Sequence, residues 1–146
     1  QFSAYTNIYF PSLFKHHGFR LQLAFEKQEE DEYSFSSAVQ FSRGYEYEAH
    51  KEFYKASLDY SFPLLYPDLA LGSLLYIKRI RANVFYDYGV AYSVNHKTHF
   101  ESTGIDVLFD FHPLSLPYEL SFGIKGTYRL QDQQMWYGIV LMGIDF

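Results

Sequence analysis

The sequence of 146 residues contains no cysteine, a single tryptophan and two methionines. Because cysteine is missing, a disulfide framework, a thiolate metal site and a cysteine nucleophile are all excluded. The chain also lacks a block of basic residues, and its net charge of −5 disfavours a nucleic-acid partner. Neither a Gly-rich phosphate loop nor a zinc-ligand spacing occurs, so the sequence predicts no cofactor and no metal.

Apolar runs of the length of a transmembrane helix, about 18 residues, are also absent. The nearest candidate, residues 63–77, is interrupted by Asp68, Gly72 and two prolines. The first residues have neither the basic nor the apolar region of a signal peptide, so we expect any signal to have been cleaved or to lie upstream. The mean hydropathy of −0.21 resembles that of a soluble protein. A membrane β-barrel has the same average, because its strands alternate apolar and polar residues.

Aromatic residues are abundant, with 15 Tyr and 15 Phe, and they favour strands. Alternation of apolar and polar residues is the dominant pattern, and it is clearest over residues 118–130. One face of that segment is apolar and has Tyr118 and Tyr128 at its ends, as in an aromatic girdle. The segment exceeds the about 9–11 residues that a tilted membrane strand needs.

The same alternation predicts about seven strands in one domain, residues 1–146. They cover residues 2–10, 18–26, 53–62, 78–90, 103–112, 118–130 and 135–146. The last strand is apolar on both faces over 139–142. Its lipid-facing side is predicted to comprise Trp136, Val140, Met142, Ile144 and Phe146.

The predicted connections alternate in length, as they do in outer-membrane barrels. Prolines mark the turns at 11–18, 63–76 and 112–117, which we assign to the periplasm. The longest connection, about residues 27–52, is then an external loop. An odd strand number is unusual for a complete bacterial barrel, so we expect the chain to be part of a larger one. The alternative is a soluble antiparallel sandwich or a lipocalin-like, lipid-binding barrel.

The long loop contains the triplet Arg43-Gly44-Tyr45. An arginine guanidinium is a permanent cation whose planar donors suit a carboxylate. Glycine permits a tight tip, and tyrosine adds apolar area and a hydroxyl group. Asp87 falls on the polar side of its predicted strand together with Arg79 and Arg81, so we expect its carboxylate to lie among cations and to hold a further one, Arg43, if the loop turns inward. An exposed hairpin turn without a distant partner is the alternative.

Several stretches together resemble a known family: SRGYEYEA (42–49), FYKASLDYSFPLLYP (53–67), IRANVFYDYG (80–89) and a terminal aromatic residue. In this order they resemble the C-terminal half of the BamA-type outer-membrane barrels, or bacterial surface antigens. That superfamily includes the assembly insertase and the two-partner secretion transporters. The resemblance covers roughly residues 18–146 and implies a barrel of about 16 strands.

The resemblance also implies roles for individual residues. In the family, an Arg-Gly-Phe/Tyr tip ends the sixth external loop, which folds into the lumen. The arginine there meets the aspartate of a Phe-x-Asp-x-Gly motif. Ser42 stands where the family usually has valine. The tip is thereby assigned to Arg43, Gly44 and Tyr45, its partner motif to Phe85, Asp87 and Gly89, and a C-terminal assembly signal to Trp136, Val140, Met142, Ile144 and Phe146.

No catalytic residue is predicted. Asp106, Asp110 and His112 share one face in a way that suits hydrolytic chemistry, but no serine or oxyanion loop accompanies them. The adjacent His16 and His17 diverge on a strand or turn and are expected to be solvated.

The sequence therefore predicts an all-β protein, a transmembrane antiparallel β-barrel of the bacterial outer membrane. Its expected function is to assist the insertion or translocation of other polypeptides. The expected partners are outer-membrane lipid, client outer-membrane or secreted polypeptides, and another barrel segment or accessory subunits. A structural or adhesive barrel without a transport role is the alternative function.

Overall fold

The structure, a computed structural model, describes residues 2–12, 14–28, 39–46, 50–72, 74–93, 96–113 and 118–142. In this part of the chain all regular structure is β, and the strands form one antiparallel sheet. No helix in it is long and apolar enough to cross a membrane. The strands are β1 (Phe2–Pro11), β2 (Gly18–Lys27), β3 (Glu52–Leu65), β4 (Leu69–Leu71), β5 (Leu75–Tyr92), β6 (Lys97–Pro113), β7 (Leu120–Arg129) and β8 (Gln134–Met142).

Seven strands follow one another in the order β1-β2-β3-β5-β6-β7-β8, and β4 pairs with β5 outside this path. The predicted all-β antiparallel architecture is confirmed. Over the described residues β1 and β8 lie at opposite ends of the path and do not pair with each other. The sheet is not closed, so the barrel and its place in a membrane stay predictions.

The predicted turn over residues 63–76 is partly wrong. β3 continues to Leu65, and Leu69–Leu71 forms β4, which folds back onto Leu75–Ile77 as a short hairpin. Asp68 and Gly72 flank β4 with positive φ angles of 47° and 63°, which allow the chain to turn twice within a few residues. Much of the apolar run 63–77 is therefore paired backbone rather than an open connection.

The register places the apolar residues of adjacent strands on one side of the sheet. Directly opposed residues of antiparallel strands share a face, and Leu21, Leu58 and Tyr86 form one such row. This side, the apolar face, is exposed: Leu58 is 46% and Ile124 is 59% accessible. The opposite side, the polar face, contains the buried polar residues Lys55, Ser57, Asp59, Asp87, Ser102, Asp106, Asp110, Ser121 and Thr127.

The predicted lipid-facing side of the last strand is wrong for the part of β8 that can be tested. Trp136 is opposite Thr127 and Val140 is opposite Gly123, which puts both on the polar face. Tyr137 and Ile139 instead continue the apolar face. Alternation alone could not choose between the two sides, because β8 is apolar on both. Met142 ends β8, whereas Ile144 and Phe146 lie outside the described residues, so the predicted assembly signal stays a prediction.

A small apolar core lies on the polar face, between the sheet and residues 39–46, which we call the tip segment. Phe53 and Phe100 are fully or almost fully buried there. The tip segment adds the side chains of Val39, Phe41 and Tyr45 to this core. Inward packing of this part of the long loop is therefore driven by apolar burial as well as by charge.

Candidate functional site

The tip segment is fixed to the polar face by aromatic packing. Phe41 stacks on Phe53 and meets Phe100 edge-on, with both pairs of ring centroids 4.7 Å apart. Tyr45 also meets Phe100 edge-on, with the ring centroids 5.1 Å apart. Such aromatic pairs are worth about 0.5–1.5 kcal/mol each beyond the area they bury. They hold both sides of the Arg43-Gly44 turn against the sheet.

Arg43 binds Asp87 through three hydrogen bonds. Its Nη2 donates to Oδ1 over 2.6 Å, its Nε donates to Oδ2 over 2.8 Å, and its backbone N–H donates to Oδ2 over 3.0 Å. Asp87 is completely buried. The structure thus joins the two residues that the sequence pairs, in the bidentate geometry that makes arginine–carboxylate contacts strong.

A second carboxylate, Asp59, completes the arginine site. Arg43 Nη1 donates to Asp59 Oδ1 over 2.7 Å, and Arg20 Nη2 lies 3.0 Å from Asp59 Oδ2. Burial alone would lower the pKa of Arg43, but the hydrogen bonds to Asp87 and then to Asp59 outweigh it and raise that pKa above its ordinary value. Asp59 is not among the partners of Arg43 that the sequence predicts. The sequence feature that points to Asp59 is its position on the polar side of the predicted strand 53–62.

Phe85 lies directly under the guanidinium group. The Arg43 Cζ atom is 3.7 Å from the centre of the Phe85 ring, which is a close cation–π contact. Phe85, the aromatic residue of the Phe-x-Asp-x-Gly pattern, therefore packs against the flat face of the Arg43 guanidinium group. Asp87 binds the edge of the same group. Both side chains lie on the polar face because they are two residues apart on β5.

The glycines of both motifs, Gly44 and Gly89, allow the tip segment to approach the sheet closely. Gly44 has a φ of +86°, and a Cβ atom there would lie 2.7 Å from the Thr127 Cγ2 atom. A Cβ at Gly89 would lie 2.6 Å from the Ser42 Oγ atom, so Ser42, which is buried, packs on the space that Gly89 leaves. Ser42 therefore occupies the space beside Gly89, and its Oγ atom is buried there without a hydrogen-bond partner among the described residues.

Tyr45 ties the tip to two further strands. Its hydroxyl donates to the Glu101 carbonyl oxygen over 2.9 Å, and the Arg129 Cζ atom lies 5.1 Å from the centre of its ring. Burial raises the pKa of Tyr45 above its ordinary value. The tip segment is thus held by β3 and β5 through Arg43 and by β6 and β7 through Tyr45.

Arg79 and Arg81 do not surround Asp87, contrary to the expectation from their shared face. Both form ion pairs with Asp110, and Arg79 also lies 3.2 Å from Glu119. Arg81 is six and Arg79 is eight residues from Asp87 along an extended strand, which corresponds to roughly 20 and 27 Å. The cation closest to Asp87 after Arg43 is Lys55, with its Nζ atom 4.0 Å from Oδ2.

Beside the arginine site, the polar face lines an open cavity of about 660 Å³. Its wall includes Arg20, Lys55, Arg81 and Lys125, with Asp106 as a lining carboxylate. Within the described ranges, no group of three His, Cys, Asp or Glu side chains is placed to hold a metal ion. The arrangement serves to hold a loop through buried charges, and it leaves a polar space next to that loop.

Comparison with known proteins adds no identification: no protein-family model, curated protein or solved structure matches this chain.

Proposed function

We propose that this chain is part of a transmembrane β-barrel of the BamA type in the bacterial outer membrane. In this proposal the barrel assists the insertion or translocation of other polypeptides, and the tip segment lies in its lumen. The observation that carries the proposal is the buried contact between Arg43 of the tip and Asp87 of the Phe-x-Asp-x-Gly pattern. Two weak sequence motifs, 44 positions apart, meet in one complementary site.

The distribution of polar residues supports the membrane part of the proposal. A soluble sheet buries its apolar face and exposes its polar one. Here the charged residues Asp59 and Asp87 are buried, while Leu58 and Ile124 are exposed. This inverted pattern is what a barrel with a polar interior and a lipid-facing exterior requires.

One end of the apolar face also carries an aromatic and charged belt. Tyr54 and Tyr92 contact each other edge-on at 6.0 Å, and the Lys97 Nζ atom lies 5.4 Å from the Tyr92 ring. Lys27 and Glu52 form an ion pair of 3.1 Å at the same end. Tyrosine rings next to charged groups are typical of the membrane–water interface.

Substitution of Ile124 by Arg tests the membrane location. In a bilayer the charge is expected to cost about 2–4 kcal/mol near the midplane. In a soluble sheet the same change at an exposed residue is expected to alter stability by no more than about 0.5 kcal/mol. Folding would be followed in lipid vesicles by heat-modifiable gel migration. Gln22→Arg is the matched control, since Gln22 lines the cavity on the polar face. Equal effects of the two substitutions would contradict the proposed faces.

The transport role is tested separately with Arg43→Ala. The variant is expected to retain its strands but to impair assembly or secretion of other polypeptides, because the tip is released from β3 and β5. The measurement is the amount of folded outer-membrane and secreted protein in cells that depend on the variant. Normal amounts, with a tip shown to be released, would favour a structural or adhesive barrel.

A further inference from the structure

Lys55 is buried at the base of the tip segment, with 2% of its side chain exposed. Its Nζ atom donates to the carbonyl oxygens of Gln40 and Phe41, both over 3.1 Å. These two hydrogen bonds hold the backbone on the N-terminal side of Arg43. Lys55 lies on β3 directly opposite Gly89, two positions from the residue that opposes Asp87.

An ammonium group has three donors, and the backbone carbonyls take two of them. The Asp87 Oδ2 atom lies 4.0 Å from Nζ, which is within ion-pair range but too long for a hydrogen bond. A shift of about 1 Å would bring the two atoms to the distance of a charge-assisted hydrogen bond. While the tip is docked, Arg43 already occupies both oxygens of Asp87.

Withdrawal of the tip segment would leave two unsatisfied groups at once. Asp87 would lose Arg43, and Lys55 would lose the carbonyls of Gln40 and Phe41. Each would then be a charge without its partner, and that isolation costs most where little water reaches the group. Because they lie side by side, each can become the partner of the other.

We propose that Lys55 is a positioning residue of the tip segment and the reserve counter-ion of Asp87. In the docked state it holds the backbone of the tip. When Arg43 leaves, it closes onto Asp87, so the sheet keeps a neutral pair and the tip can return. The contact between Arg43 and Asp87 is then reversible rather than permanent. This inference rests on the docked loop of the proposed function, but not on the membrane or on clients.

A double-mutant cycle between Arg43→Ala and Lys55→Met tests the proposal on the full protein, with urea unfolding as the measurement. If Lys55 only anchored the tip, its bonds would already be lost in Arg43→Ala, and the double variant would be less destabilised than the two single effects combined. If Lys55 is the reserve counter-ion, the double variant leaves Asp87 without a cation. The double variant should then raise the equilibrium constant of unfolding by a factor about tenfold larger than the product of the two single-variant factors. An additive or smaller combined effect overturns the proposal.

Two further variants complete the test. Asp87→Asn, added to the double variant, removes the uncompensated charge and should restore stability; failure to do so overturns the proposal. If Lys55→Met alone does not fold, Lys55→Gln, which keeps a donor for the two carbonyl oxygens but carries no charge, takes its place in the cycle with the same two outcomes. The matched control is Arg81→Met, since Arg81 lies on the same face but has its Nε atom 3.1 Å from Asp110 rather than Asp87, and it should combine additively with Arg43→Ala. Because the measurement is unfolding and not client assembly, this proposal and the proposed function can fail independently.

Discussion

Substitution of Gly44 by Ala would show how strongly the tip depends on its turn. The φ of +86° places the residue in the left-handed region, where a side chain costs about 1–2 kcal/mol. The new Cβ would also lie 2.7 Å from the Thr127 Cγ2 atom, and such overpacking costs about 1–3 kcal/mol. The two contributions together predict a loss of about 2–5 kcal/mol from docking of the tip.

Gly72→Ala separates these contributions. Gly72 also has a positive φ, of 63°, but a Cβ there would meet no atom within 4 Å. This control should therefore show the backbone cost alone, about 1–2 kcal/mol. A second control, Thr127→Ser, removes the Cγ2 atom. Combined with Gly44→Ala, it should remove the free-energy cost of the steric contact but leave the cost of the positive φ angle.

The free energy of unfolding from urea titration gives the size of each effect. Trp136 fluorescence reports on the tip itself, because Arg129 lies 5.4 Å from the Trp136 ring and 5.1 Å from the Tyr45 ring. The Gly44→Ala variant should change this fluorescence before the sheet unfolds. Equal losses for Gly44→Ala and Gly72→Ala, without recovery by Thr127→Ser, would refute the close approach of the tip to β7.

Two further predictions concern the contacts on either side of Gly44. Arg43→Ala and Asp87→Asn should each destabilise the docked tip, since each breaks a buried pair. The double variant should lose less than the sum of the two in urea unfolding; strict additivity would argue against a direct contact. Tyr45→Phe removes the hydrogen bond to the Glu101 carbonyl and should cost about 0.5–1.5 kcal/mol. An unchanged unfolding midpoint would show that the hydroxyl contributes nothing to docking.

Strand positions and faces follow from the sequence where alternation is unambiguous. On β3, for example, Leu58 and Asp59 lie on the sides that a period of two assigns to them. Such patterns are local, and successive side chains must point to opposite sides of any strand. The ends of strands are less predictable. β5 and β6 extend beyond the predicted segments, because pairing with a neighbouring strand continues where the pattern weakens.

The sequence also identifies Arg43 and Asp87 as a pair, because each residue stands in a recognisable motif. It does not identify Asp59 or Lys55 as partners of the same site. Both belong to a face with many polar residues, and alternation cannot rank the members of a face. Only the folded sheet shows which of them lie under the tip.

Only the tertiary structure decides which side of β8 lies on the polar face and which cations reach Asp87. Trp136 lies on the polar face because the register between β7 and β8 places it opposite Thr127. A shift of that register by one residue would move every side chain of β8 to the other side of the sheet. Arg79 pairs with Asp110, whereas Arg43, distant in sequence, reaches Asp87. Sequence sets the side on which a residue lies. The distances between charges depend on how neighbouring strands are aligned and where the loop packs, and only the folded chain determines both.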